Sequence, residues 1–114
     1  MHELSIAMNI ADLAQKQAEL AGAKKVRGIE LDIGCFSGVD PDALRFALDL
    51  AFRDSLLEET EIKMNRIEAC CRCLDCDHEF EATGFQLTCP KCLGSHTRLS
   101  SGMEMQIRSL LIEE

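Results

Sequence analysis

Along the first twenty residues, polar side chains recur every three or four positions. Ser5, Asn9, Asp12, Lys16 and Glu19 form one stripe, and most of the rest, from Leu4 to Leu20, is apolar. That period predicts a helix over 3–21, closed by Gly22 as a C-terminal cap. So wide an apolar face predicts burial against both a sheet and a neighbouring helix. From 26 to 35 the period falls to two: Ile29, Leu31, Ile33 and Cys35 alternate with Glu30 and Asp32, as in a strand. Gly34, Ser37 and Gly38 mark a turn, and Asp40-Pro41 reads as an N-cap followed by proline at the first helical position. A second helix over 41–53 follows, with Leu44, Ala47, Leu48 and Ala51 facing inward and Phe46 and Leu50 widening the stripe. Over 61–69, Ile62 and Met64 set one alternation and Ile67 and Ala69 the other, which a bulge near Asn65 or Arg66 would reconcile. Residues 70–99 lose aliphatic periodicity altogether. Alternation resumes at Met103, Met105 and Ile107 and runs to about Ile112. The expected architecture is α+β: two helices packed on a three-stranded sheet, formed by residues 1–69 plus 101–114. A four-cysteine zinc-ribbon-like module, residues 70–100, is inserted before the last strand.

Composition narrows the function. A chain of 114 residues predicts one domain with a small insert. Twelve basic residues face twenty acidic ones, the net charge is −8, and Trp and Tyr are absent. Phosphate binding needs clustered Lys and Arg, and base stacking needs aromatics, so nucleic acid is not the expected partner. No segment approaches the roughly 20 apolar residues of a membrane helix, and the charged start does not resemble a secretory leader. The chain is expected to be cytoplasmic, where seven cysteines stay reduced and point to metal rather than to disulfides.

Four of those cysteines have the spacing of a metal site. Cys73-Leu74-Asp75-Cys76 and Cys89-Pro90-Lys91-Cys92 stand twelve residues apart. Two such pairs supply the four thiolates of a closed tetrahedral zinc site. Gly84 fits a turn between two short hairpin arms, and Phe80 and Phe85 are nearly the only apolar bulk, so metal must supply most of the order there. Cys70 and Cys73 share the same spacing; Cys73 and Cys76 are preferred because they leave Cys70 and Cys71 at the strand end. His78 and His96 flank the pairs, and imidazole can replace thiolate on zinc. Cys35, at the end of an apolar strand face, is expected to act as a small buried hydrophobe.

The opposite end of the chain carries a different donor set. The amine of Met1, the backbone nitrogen of His2 and its Nδ1 can close two fused chelate rings on one cation. These donors are all nitrogen and nearly coplanar, which suits square-planar nickel(II) or copper(II) rather than zinc. The Glu3 backbone nitrogen, the Glu3 carboxylate or a group from a partner could complete the set. Asp40 is a helix cap first, though its carboxylate would also balance a nearby cation.

These residues together resemble the HypA family of nickel metallochaperones. The resemblance rests on Met1-His2-Glu3-Leu4-Ser5, on Ile33-Gly34 followed by Ser37-Gly38, on Ala43-Leu44-Arg45-Phe46-Ala47, and on the two cysteine pairs. Cys71 beside Cys70 departs from the usual family pattern. The resemblance implies nickel at Met1, His2 and Glu3 and structural zinc at Cys73, Cys76, Cys89 and Cys92. It also implies a GTPase partner, HypB, and delivery of nickel to the hydrogenase large subunit, with urease and its accessory proteins as further recipients in some organisms. The chain has no nucleotide-binding glycine loop and no nucleophile–base pair, so a binding and delivery protein is expected rather than an enzyme. A metal-dependent hydrolase is disfavoured because zinc held by four Cys has no open position for water. The remaining alternative is a zinc-ribbon adaptor, in which the amino terminus plays no part.

Overall fold

The computed structural model describes residues 3–82 and 87–114. In chain order the elements are α1 (Glu3–Leu20), β1 (Lys25–Gly34), α2 (Pro41–Ala51), β2 (Glu61–Ile67), β3 (Cys70–Cys73), β4 (Glu79–Glu81), β5 (Thr97–Ser101) and β6 (Met105–Glu113). They form an α+β fold with two three-stranded sheets, β2-β1-β6 and β4-β3-β5. The second sheet belongs to the segment that lacks aliphatic periodicity. Met1, His2 and the expected turn at Gly84 with Phe85 lie outside the described residues.

Local chemistry explains the helix ends. Gly22 takes φ 72°, and the Ala23 amide reaches back to the Ala18 carbonyl at 2.9 Å, which closes α1. Asp40 Oδ1 accepts from the amides of Asp42 at 2.9 Å and Ala43 at 3.3 Å, with Pro41 behind it. α2 ends at Ala51, two residues earlier than the periodicity predicts.

β1 is the central strand. It runs parallel to β2 and antiparallel to β6. A parallel neighbour needs a crossover connection, and α2 supplies it. Ile29, Leu31 and Ile33 meet Ala7, Ile10, Ala14 and Ala18 of α1 and Leu44, Ala47 and Leu48 of α2 in one core. Leu31, Leu44, Leu48 and Leu57 are fully buried, each worth about 1.5–3 kcal/mol relative to exposure.

The expected bulge in β2 is not there. β2 pairs with β1 without interruption from Gly28↔Glu61 to Gly34↔Ile67. Ile67 has the parity of Lys63 and Asn65, and Ala69 is buried beyond the strand, at the crossing with Gly102. Two bulges occur instead between β1 and β6. Arg27 is the extra residue between the Val26↔Ile112 and Gly28↔Leu111 pairs, and Arg108 is extra between Glu30↔Ser109 and Leu31↔Ile107. The second one switches β6 from odd to even inward positions, from Met105 and Ile107 to Leu110 and Ile112. It also aims Arg108 across the open face of the sheet. Its guanidinium grips Asp32 with Nε to Oδ1 at 2.9 Å and Nη2 to Oδ2 at 2.9 Å, and Asn65 donates to Oδ1 at 3.0 Å. Asp32 is therefore buried although it lies opposite the helices.

The two sheets meet at a crossing of backbones. Gly34 donates to the Glu104 carbonyl at 2.7 Å, Phe36 to that of Gly102 at 2.7 Å, and Cys35 to that of Ile67 at 2.9 Å. A Cβ on Gly34 would overlap the Gly102 carbonyl, and one on Gly102, at φ 113°, would lie 2.8 Å from Ala69. Only glycine fits both places.

Candidate metal centres

Each cysteine pair is built by the same turn. After Cys73, the Asp77 amide donates to the Cys73 carbonyl at 2.9 Å, and the Cys73 amide donates to the His78 carbonyl at 2.9 Å. After Cys89, Leu93 donates to the Cys89 carbonyl at 2.9 Å, and Cys89 donates to Gly94 at 2.9 Å. The fourth residue after the first cysteine is left-handed both times, Asp77 at φ 62° and Leu93 at φ 62°. This repeated turn points both sulfurs of a pair the same way, and the sheet β4-β3-β5 brings the pairs face to face.

The four Sγ atoms lie within 4.8 Å of one another. Cys73 and Cys92 are 3.5 Å apart, and Cys76 and Cys89 are 3.6 Å apart. Four sulfurs at about 2.3 Å from a tetrahedral zinc would stand about 3.8 Å apart, so the cage fits such an ion with little adjustment. Cys73 and Cys89 are buried, Cys76 is half-buried and Cys92 is exposed.

The thiols do not ionise alike. Desolvation raises Cys89, but backbone amides of Cys92 and Lys91 and the thiols of Cys76 and Cys92 outweigh it and bring the pKa to about 7. Cys76 receives a bond from the His78 backbone that favours the thiolate. Desolvation and the crowding of Cys73, Cys89 and Cys92 overcome it and push the thiol up to about 12. Four like charges at this spacing need a cation, and metal binding must release protons.

The other cysteines and histidines take separate places. Cys71 is fully buried on β3, opposite Phe80 and Leu99, and burial raises its pKa. Cys70 is exposed. Cys35 is only half-buried, past the end of β1, against expectation; it borders a cavity of about 170 Å³ with Met64, Arg66 and Val39. The His78 ring stacks on Phe80 at 6.1 Å between centroids, and His96 Nδ1 lies 3.2 Å from Asp75 Oδ1. Among the described residues, the four-cysteine group is the one that could hold a metal ion, and it includes neither histidine.

Of the amino-terminal set, Glu3 is described. It opens α1, half-buried, and its Oε2 accepts from the Asp40 amide at 3.4 Å. The Glu3 carboxylate therefore reaches the backbone of the residue that caps α2. The sequence placed Asp40 as a cap whose carboxylate would also balance a nearby cation; the direct contact of Glu3 with its backbone spans 37 positions. The Asp32–Arg108 pair was missed as well. Its only sequence signal is an acid inside an apolar strand.

A two-helix α+β body joined to a small sheet with a four-thiol cage defines a metal-binding protein of two dissimilar parts. Residues 1–112 match the HypA family, described as hydrogenase/urease nickel incorporation, metallochaperone. The chain is 39% identical over 113 residues to the hydrogenase maturation factor HypA of Chlorobaculum parvum, covering 99% of this chain and all of that one. It is 39% identical over 114 residues to that of Parabacteroides distasonis, covering 100% and 99%. The solution structure of the nickel metallochaperone HypA from Helicobacter pylori has the same fold, with TM-score 0.73, 24% identity and coverage of 99% and 98%. The chain belongs to the HypA family. That family consists of maturation factors rather than catalysts. Among the described residues, no helix is long and apolar enough to cross a membrane.

Proposed function

We propose that the chain binds one nickel(II) ion through Met1, His2 and Glu3 and delivers it during maturation of nickel–iron hydrogenase, or of urease in some organisms. The observation that carries this reading is the match to a nickel-incorporation family over residues 1–112, the Met1-His2-Glu3 opening included. The amine, the amide nitrogen and the imidazole offer nickel a planar nitrogen set. The Glu3 carboxylate, which accepts from the Asp40 amide just before α2, supplies negative charge beside that set. Amine and amide must lose protons, so affinity rises with pH and falls when a partner protonates or competes for the donors. A site at the edge of the protein suits transfer better than storage.

In this reading Cys73, Cys76, Cys89 and Cys92 hold a zinc ion that orders residues 70–100, while residues 1–69 and 101–114 form the nickel domain. The partners are the HypB GTPase, the hydrogenase large subunit and, where urease is matured, its accessory proteins. The setting is the cytoplasm, where the thiols stay reduced.

Calorimetric nickel titration tests the proposal on three proteins: the native-terminus chain, His2→Ala, and a chain extended by a Gly-Ser tag before Met1. One tight site with the visible absorption of planar nickel is expected. Both changes should weaken it by more than the roughly 10- to 100-fold that loss of an outer-shell partner costs. Unchanged affinity in both would overturn the amino-terminal site and leave the adaptor reading.

A further inference from the structure

The outward sides of α1 and α2 leave large apolar side chains in water. Met8 is 56% exposed, Phe46 68%, Leu4 53% and Leu50 40%. The core does not use them: Ala7, Ile10, Ala14 and Ala18 pack α1 inward, and Leu44, Ala47 and Leu48 pack α2. Leu4 and Met8 stand one turn apart on α1, as do Phe46 and Leu50 on α2. Each helix therefore carries an i, i+4 ridge. Between the helices lies a groove of about 270 Å³ lined by Leu4, Met8, Ala11, Asp12, Leu50 and Ala51. Scattered apolar residues need no explanation, whereas two ridges with a groove between them mark a contact surface. The side chains of a third helix seat in such a groove by the ridge-into-groove rule.

Charge says what kind of helix. Asp12 lines the groove one turn beyond Met8, and Asp42 and Asp49 flank Phe46 at i−4 and i+3. Lys16 and Arg53 follow only at the later end of the groove. Arg45 is turned away, its Nη1 donating to the Ile62 carbonyl at 3.0 Å. The chain as a whole carries −8. We propose that this groove is a docking site for an amphipathic helix of a partner protein, apolar on one stripe and flanked by Lys or Arg. The assignment does not depend on nickel binding at the amino terminus.

Two synthetic peptides of roughly 18 residues, about five turns, serve as probes. Both carry Leu at i, i+3, i+4 and i+7; one has Lys at its polar positions and the other Glu. Calorimetry with the full, zinc-loaded chain at about 0.1 M salt, where charges are screened over about 10 Å, should show the Leu/Lys peptide binding and the Leu/Glu peptide failing. The double change Met8→Ser with Phe46→Ser leaves net charge unaltered and touches only side chains more than half exposed. It should weaken the Leu/Lys peptide by about tenfold or more, and Leu50→Gln by less, with unchanged circular dichroism. Equal binding to the double variant would overturn the proposal, because charge alone would then be responsible. So would equal binding of the Leu/Glu peptide. Sedimentation of the wild-type chain as a dimer that the double variant dissolves would overturn it in favour of a second copy as the occupant.

Discussion

The body and the four-cysteine module both contain a three-stranded sheet, and they are held together by different physics. The body sheet is covered by two helices and shares with them one apolar core from Ala7 to Leu57. Around the second sheet, the buried apolar residues among those described are Ala69, Cys71, Cys73 and Cys89. Two of these are thiols of the metal cage, and a strand of three residues such as β4 buries little. A segment that cannot remove enough apolar surface from water to offset its chain entropy must obtain its order elsewhere. Ligation of a cation by the four thiolates would be that source, and the backbone crossing at Gly34 and Gly102 is what joins the two regimes.

The largest test of this contrast is removal of the proposed zinc. Structural zinc contributes on the order of 10 kcal/mol in such modules, so a strong chelator, or Cys89→Ser, should unfold residues 70–100 and leave the helical signal of the body. Far-UV circular dichroism with limited proteolysis reads both parts. Collapse of all helical ellipticity would break the comparison. In the other direction, Leu48→Ala opens a cavity in the body and should cost about 2–5 kcal/mol in urea unfolding. The sulfur-to-metal absorption of the cobalt-substituted module should not change. Gly34→Ala attacks the crossing itself; overpacking there should cost about 1–3 kcal/mol. It should also blur the two unfolding events, and an unaltered urea midpoint would show that the crossing yields freely.

The smallest effect concerns pH. The Arg108 hydrogen bonds, then that of Asn65, lower the Asp32 pKa from 3.8 to about 2. A depressed carboxylate pKa adds stability that is complete above about pH 4 and is lost as pH falls through about 2. The body should therefore weaken across that window, and Asp32→Asn should flatten that part of the profile. An identical acid limb in both proteins would mean that the pair contributes nothing to the body.

Much of this organisation is legible in the chain. The α1 closure at Gly22, the Asp40-Pro41 start of α2 and the convergence of Cys73, Cys76, Cys89 and Cys92 all rest on contacts within a few residues or on an unmistakable spacing. The misplaced bulge shows where such reading stops. The shifted alternation around Asn65 looks like a defect in β2. It reflects instead a strand whose polar residue faces Asp32 and whose continuation, Ala69, enters the crossing. The bulges at Arg27 and Arg108 leave no local mark, because a bulge is a property of two strands and the residues opposite it are about eighty positions away. Likewise the left-handed Asp77 and Leu93 are not turn-forming glycines, and only the repeated hydrogen-bonded turn explains them.

The sequence by itself determined α1, β1, α2, β2 and β6, the caps of the helices and the spacing of the four-cysteine group, since period, capping and ligand spacing are short-range properties. Tertiary structure alone decided the strand order β2-β1-β6, the burial of Asp32 beneath Arg108, the approach of Glu3 to Asp40 and the apolar groove between α1 and α2. Each depends on which distant segments meet. That choice is made by the shared core and the close packing of Gly34 on Gly102, which no window of neighbouring residues contains.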